Sequence, residues 1–159
     1  MSQQKEIEAL IHRYKREEGV TDLIVEEFTA WMVALGWPLP APISPMQRLQ
    51  QKVRSVLREE TRIDEVTHLP YRVNHAYPIG LNKQGTFFWG WVDIDEAPRH
   101  KMWKALQNRR EQMVGDGLQL TLDAEHWSRK HPDEAQIVLE MDFGPDIEWR
   151  KSARDAEAS

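Results

Sequence analysis

The chain has 159 residues, 40% of them hydrophobic and 30% charged, with seven tryptophans, no cysteine and a net charge of −5. That length suffices for one ordinary domain with a real core. The missing thiols exclude disulfides, thiolate metal sites and cysteine catalysis. No apolar run approaches the ~18–20 residues a membrane span needs, and the opening MSQQKEIEAL lacks the layout of a secretory signal. The expectation is a soluble cytoplasmic protein.

Residues 2–18 place Ile7, Leu10, Ile11 and Tyr14 at helical spacing, and Gly19 is a natural stop. Thr21 or Asp22 is suited to cap a second helix, with Glu26 or Glu27 in its first turns. Its apolar set is Leu23, Ile24, Phe28, Trp31, Met32 and Leu35, closing at Gly36. Residues 36–45 (GWPLPAPISP) hold four prolines and cannot be helical, because each lacks an amide donor and restricts the residue before it. Trp37 and Leu39 are expected to plug the core from this connector.

Residues 44–58 (SPMQRLQQKVRSVLR) predict a third helix, with Ser44 as cap and Pro45 in first position. Met46, Leu49, Val53 and Val56 or Leu57 form its apolar stripe. The other face carries Gln47, Arg48, Gln50, Gln51, Lys52, Arg54 and Ser55, with no acid before Glu59. Arginine and glutamine suit bidentate hydrogen bonds to guanine and adenine edges, and the cations also neutralise phosphates. A merely solvated polar face is the plainer reading of the same pattern.

Beyond Arg62 the pattern turns β-like. Residues 71–79 alternate, residues 80–85 (GLNKQG) read as a turn, and residues 86–94 (TFFWGWVDI) are dense in aromatic and β-branched side chains. Together they predict a hairpin. Phe87, Trp89 and Trp91 share one face, with Phe88, Gly90 and Val92 on the other. Stacking of single-stranded bases on such a strand is conceivable chemistry, but burial in a small core explains it more simply.

Asp95, with Pro98 in the first turn, opens a helix over residues 97–114 with Met102, Leu106 and Met113 inward, and Gly115 and Gly117 are expected to break it. Its basic stretch RHKMWKALQNRR offers Arg99, Lys101, Lys104, Arg109 and Arg110 to phosphates and Trp103 for stacking; the plainer reading pairs them with acidic flanks. Residues 118–127 fit strand or helix, His131-Pro132 is a break, residues 137–143 suggest a last short strand, and residues 152–159 a frayed tail.

Charge is unevenly spread. Residues 1–44 sum to −3, 45–92 to +3, 93–112 to +1 and 113–159 to −6. Salt limits long-range cancellation to ~10 Å, so a local basic face can act beside acidic flanks. The acidic last third solvates a surface, binds a basic protein, or folds over the basic face and competes with nucleic acid.

Catalytic signatures are weak. Asp93, Asp95 and Glu96 at a strand end, with His75 on the partner strand and Asp123 and His126 farther on, allow a divalent-metal site to be imagined, as in a metal-dependent nuclease. No restriction-type Glu-x-Lys pair accompanies them, and Asp95 reads better as a helix cap. No serine stands in a Gly-x-Ser-x-Gly turn, and no glycine-rich phosphate cradle follows a strand.

Three segments, VTHLPYRVNHAY (66–77), VDIDEAPRHKM (92–102) and RREQMVGDGLQLTLDAEHW (109–127), together resemble an uncharacterised bacterial protein group often carried on prophages. The resemblance implies a mobile-element setting and a regulatory or host-interaction role; it brings no activity, cofactor or site residue with it.

The expected fold is α+β: a three-helix unit followed by an antiparallel β-hairpin, winged-helix-like, with a helical, acidic C-terminal extension. The expected division is residues 1–112, 113–151 and a tail 152–159. The leading function is non-enzymatic binding of duplex DNA by a regulatory protein, without metal or cofactor. Gln47, Arg48, Gln51, Lys52, Arg54 and Arg58 lie on the reading helix and Lys83 at the wing, between Asn82 and Gln84. The rival is a protein-interaction module acting on a host or phage protein through its acidic surface, and a metal-dependent nuclease stands third.

Overall fold

A computed structural model describes residues 2–158. Among the described residues the chain is a mixed α+β protein with five helices and two small antiparallel sheets. It divides into two compact units, Met1–Pro45 and Met46–Ser159. The first holds helices α1 (Gln3–Glu18) and α2 (Val25–Ala34).

In this first unit the helical periodicity is spent on a closed core. Tyr14, Phe28 and Met32 are buried, with Ile7, Leu10, Ile11, Leu23, Trp31 and Trp37 packed around them. Tyr14 meets Phe28 edge-on at 5.4 Å and Trp31 at 5.2 Å, a geometry aromatic quadrupoles favour. Ser2 caps α1 by accepting the Lys5 amide, and Gly19 ends it at φ +67°. α2 starts later than expected: Ile24 occupies the cap position with no side-chain hydrogen bond, so neither Thr21 nor Asp22 serves. Trp37 does reach the core, whereas Leu39 stays largely exposed.

Apart from its first residue, α3 (Pro45–Glu59) belongs to the second unit, and it runs as its pattern predicts. A three-residue hairpin follows, β1 (Thr61–Ile63) against β2 (Pro70–Arg72), which no sequence pattern announces. Its loop is set by Asp64, whose carboxylate accepts the amides of Val66 and Thr67, each at 2.9 Å. The main hairpin is β3 (Asn74–Leu81) with β4 (Phe87–Asp93), bulged between Pro78 and Gly80. At its tip the Asn82 side chain accepts the amides of Gln84 and Thr86, and Gly85 supplies φ +76°. Val73, 1% exposed, ties the pieces together: its amide donates to the Glu60 carbonyl and its carbonyl accepts from Ile94.

Helix α4 (Arg99–Lys130) corrects the expected break. It continues through Gly115 and Gly117, since a glycine costs only about 1 kcal/mol against alanine in a helix and good formers lie to either side, residues 109–113 before and 118–120 after. Gly117 also leaves a notch: a Cβ there would stand 3.0 Å from the Met141 methyl. Residues 137–143 are therefore not a strand. They run back along α4 without strand pairing, with the Ile137 amide donating to Ser128 Oγ at 3.0 Å and Met141 beside Gly117. The expected tail is helix α5 (Gly144–Ala158), and Ser159 lies outside the described residues. Asp95 does not cap α4; Pro98 stands there without a side-chain bond.

Candidate functional site

On α3, Gln47, Gln51, Arg54 and Arg58 fall at i, i+4, i+7 and i+11 and so share one face, with Arg48 and Lys52 along its edge. All six are exposed. Arg48, Lys52, Arg54 and Arg58 form no ion pair among the described residues. The helix has no buried residue at all: Met46, Leu49, Val53 and Val56 of its apolar stripe are each at least half exposed.

The C-terminal half of this face opens on a cleft of about 510 Å³, to which Arg54 and Arg58 contribute. The end of β2 and the start of β3 supply Arg72, Asn74, His75 and Ala76. Strand β4 supplies Trp89 and Trp91, two residues apart and hence on the same side of the sheet. α4 adds Ala105, Asn108, Arg109 and Gln112, at i, i+3, i+4 and i+7 along one helix face. Ala76 pairs with Trp91 across the sheet, and Ala105 is 2% exposed; these two small side chains leave the space the cleft occupies.

The electrostatics of the cleft are one-sided. Arg54, Arg58, Arg72 and Arg109 line it, and no acidic residue does. None of the four guanidiniums has an ion-pair or hydrogen-bond partner among the described residues. His75, 8% exposed, places its Nε2 3.0 Å from the Arg72 carbonyl. A carbonyl can only accept, so Nε2 carries the proton and anchors the backbone that bears Arg72. The Asn74 amide nitrogen donates to Glu60 at 2.7 Å.

A second polar cluster takes up the carboxylates that a metal site would need. Arg62 grips Asp93 with both nitrogens, at 3.2 and 2.8 Å, and reaches Asp95 at 2.6 Å. The Tyr71 hydroxyl donates to Asp95 at 2.9 Å. The Arg62 hydrogen bonds, with the Asp95 amide, hold Asp93 below the usual carboxylate range, and Asp93 and Asp95 raise Arg62 in turn. The bond to Asp95 pushes the Tyr71 phenol up. These oxygens are spent on a guanidinium and a phenol, and no group of three or more His, Asp or Glu among the described residues is placed to hold a metal ion.

Of the residues singled out from sequence, Arg54 and Arg58 enter the cleft. Gln47, Arg48, Gln51 and Lys52 lie outside its lining, and Lys83 sits in the hairpin turn. From the second basic stretch only Arg109 joins, while Arg99 lies over Trp103 at 5.5 Å and Lys101 over Tyr77 at 5.9 Å. Sequence reasoning assigns Trp89 and Trp91 to the core and misses Arg72 altogether. Strand alternation puts both tryptophans on one face; nothing local marks Arg72, which comes to the site beside the one-residue link, Val73, between β2 and β3.

No helix among the described residues is long and apolar enough to cross a membrane. Comparison with protein-family models, with curated proteins and with solved structures gives no match.

Proposed function

We propose that the chain is a non-enzymatic nucleic-acid-binding regulatory protein. In this reading α3 is offered to duplex DNA, and the β3–β4 turn with Lys83 serves as a wing, as in a winged helix-turn-helix. One observation carries the reading: Arg48, Lys52, Arg54 and Arg58 stand exposed along one helix with no carboxylate answering any of them among the described residues. Unpaired arginine and lysine repel one another and gain most from a polyanion, whose condensed counterions are released on binding.

The test is retention of a 5′-labelled duplex by the full chain, followed by fluorescence anisotropy across a salt series. Affinity should fall steeply with salt. Replacing Arg48, Lys52 and Arg54 together by alanine should flatten the plot of log affinity against log salt by about 0.9 for each phosphate the helix no longer neutralises. Unchanged retention in that triple variant ends the assignment of α3.

The rival reading, a module that binds another protein through its acidic surface, draws on the C-terminal third. Val138 is 83% and Trp149 71% exposed, with Asp146 and Glu148 close to the tryptophan in sequence. Exposed apolar side chains rimmed by charge suit a protein interface. A stoichiometric protein complex that forms while duplex DNA is ignored would favour it.

A further inference from the structure

We infer that the arginine-lined cleft of the second unit is a binding site for an unpaired nucleotide segment of single-stranded nucleic acid. Trp89 and Trp91 would stack its bases, and Arg54, Arg58, Arg72 and Arg109 would hold its phosphates. The inference rests on the nucleic-acid reading above and names the form of nucleic acid this site takes.

Three properties of the cleft select that ligand. The first is size and shape: about 510 Å³ lies within the range of sites that hold one small molecule. A duplex meets proteins through helices or ribbons laid into its grooves, not by entering a cavity of that volume.

The second is the pairing of functional groups. Aromatic faces and guanidiniums together match a ligand with a flat π-surface next to phosphates. In a duplex every base face is covered by its neighbours, so only an unstacked nucleotide offers a face to an indole while its phosphates reach arginine. Trp89 lines the cleft and is 46% exposed overall, and Trp91, also in the lining, pairs with the small Ala76. Asn108 and Gln112, on the α4 face that bears Arg109, supply amide groups with no partner among the described residues for base edges.

The third is charge. Three separate elements, α3, the β2–β3 junction and α4, each bring arginine to the same cavity, and no acid lines it; the Glu60 carboxylate at its edge is engaged by Asn74. Mutual repulsion disfavours that arrangement unless an anion occupies the middle. A merely solvated surface gives no reason for four arginines from three elements to line one concave site.

The test uses the full chain with four probes: a ten-residue oligo(dT), a ten-residue oligo(rU), a duplex of the kind used above, and inorganic phosphate. Oligo(dT), oligo(rU) or both should quench tryptophan fluorescence, and the stronger of the two tells DNA from RNA. The slope of log affinity against log salt should be negative, about 0.7 for each phosphate the arginines neutralise on a single strand. Arg109→Gln and Arg72→Gln, both exposed positions, should each weaken oligonucleotide binding about tenfold and reduce the slope by about 0.7. Trp89→Ala should remove part of the quench and weaken oligonucleotide binding as well, because one stacking face is lost.

Duplex binding without any oligonucleotide binding overturns this inference and leaves the α3 reading standing. Oligonucleotide binding indifferent to both arginine variants overturns it as well. Displacement of the oligonucleotide by millimolar phosphate alone, with no tryptophan quench at any point, reduces the cleft to an anion site and also overturns it. Failure of every nucleic-acid probe removes both the inference and the reading beneath it.

Discussion

The two units treat the same sequence signal in opposite ways. α1 and α2 each carry an apolar stripe at helical spacing, and the two stripes close on Tyr14, Phe28 and Met32. α3 carries a stripe as regular as theirs, yet none of its residues is buried. In the whole second unit only Val73, Ala105 and His75 are buried among the described residues. Periodicity thus tells which side of a helix is apolar; whether anything covers that side depends on partners distant in the chain. The first unit is built around a core, and the second around a hairpin, a long helix and a cleft between them and the end of α3.

The sharpest way to break this contrast is to truncate matched residues. Phe28→Ala should cost the first unit about 3–5 kcal/mol, because a ring that is 4% exposed leaves a cavity among aromatic neighbours. Val53→Ala on α3, half exposed, should stay within about 0.5 kcal/mol. Denaturant unfolding of both variants decides it, and equal costs would mean that the α3 stripe is covered in solution.

A smaller effect tests whether the second unit has a keystone. Val73→Ala removes two methyl groups from the best-buried position between the two hairpins. At ~0.8 kcal/mol per methylene plus a cavity, the loss should be about 2 kcal/mol by the same unfolding assay. A negligible loss would show that the backbone bonds to Glu60 and from Ile94 suffice by themselves.

The smallest effect concerns acid. Asp93 titrates below its ordinary value because Arg62 and the Asp95 amide hydrogen-bond its charged form. Its contribution to stability is therefore present above the ordinary aspartate value, about 3.9, and is lost as pH falls through the lower folded value. Asp64, held low by the Thr67 and Val66 amides, acts in the same direction. Arg62→Gln should shrink the drop in melting temperature between neutral pH and about pH 3, leaving the part that belongs to Asp64. An identical drop in the variant would show that the Arg62 grip does not persist in solution.

Much of the fold is legible in the sequence where the controlling interactions are local. The ends of α1, the proline-rich connector, the whole of α3 and the stop at His131 each follow from a cap, a glycine, a proline or a spacing. Local signals mislead where a distant contact overrides them. Gly115 and Gly117 look like breakers, but α4 runs through them and Gly117 receives Met141, 24 positions later. Asp95 looks like a cap, but Arg62, 33 residues before it, claims its carboxylate.

The candidate site divides in the same way. Residue order alone determined that α3 would present arginine on a face free of acids, since 3.6 residues per turn fixes which side chains share a side. Only the tertiary structure decided that Arg54 and Arg58 meet Arg72, Trp89, Trp91 and Arg109 around one cavity. That grouping depends on the hydrogen-bonded link at Val73 and on α4 packing against β3, which bring together residues up to 55 positions apart. Local periodicity has no term for such distances, because the free energy that closes them comes from packing rather than from neighbours in the chain.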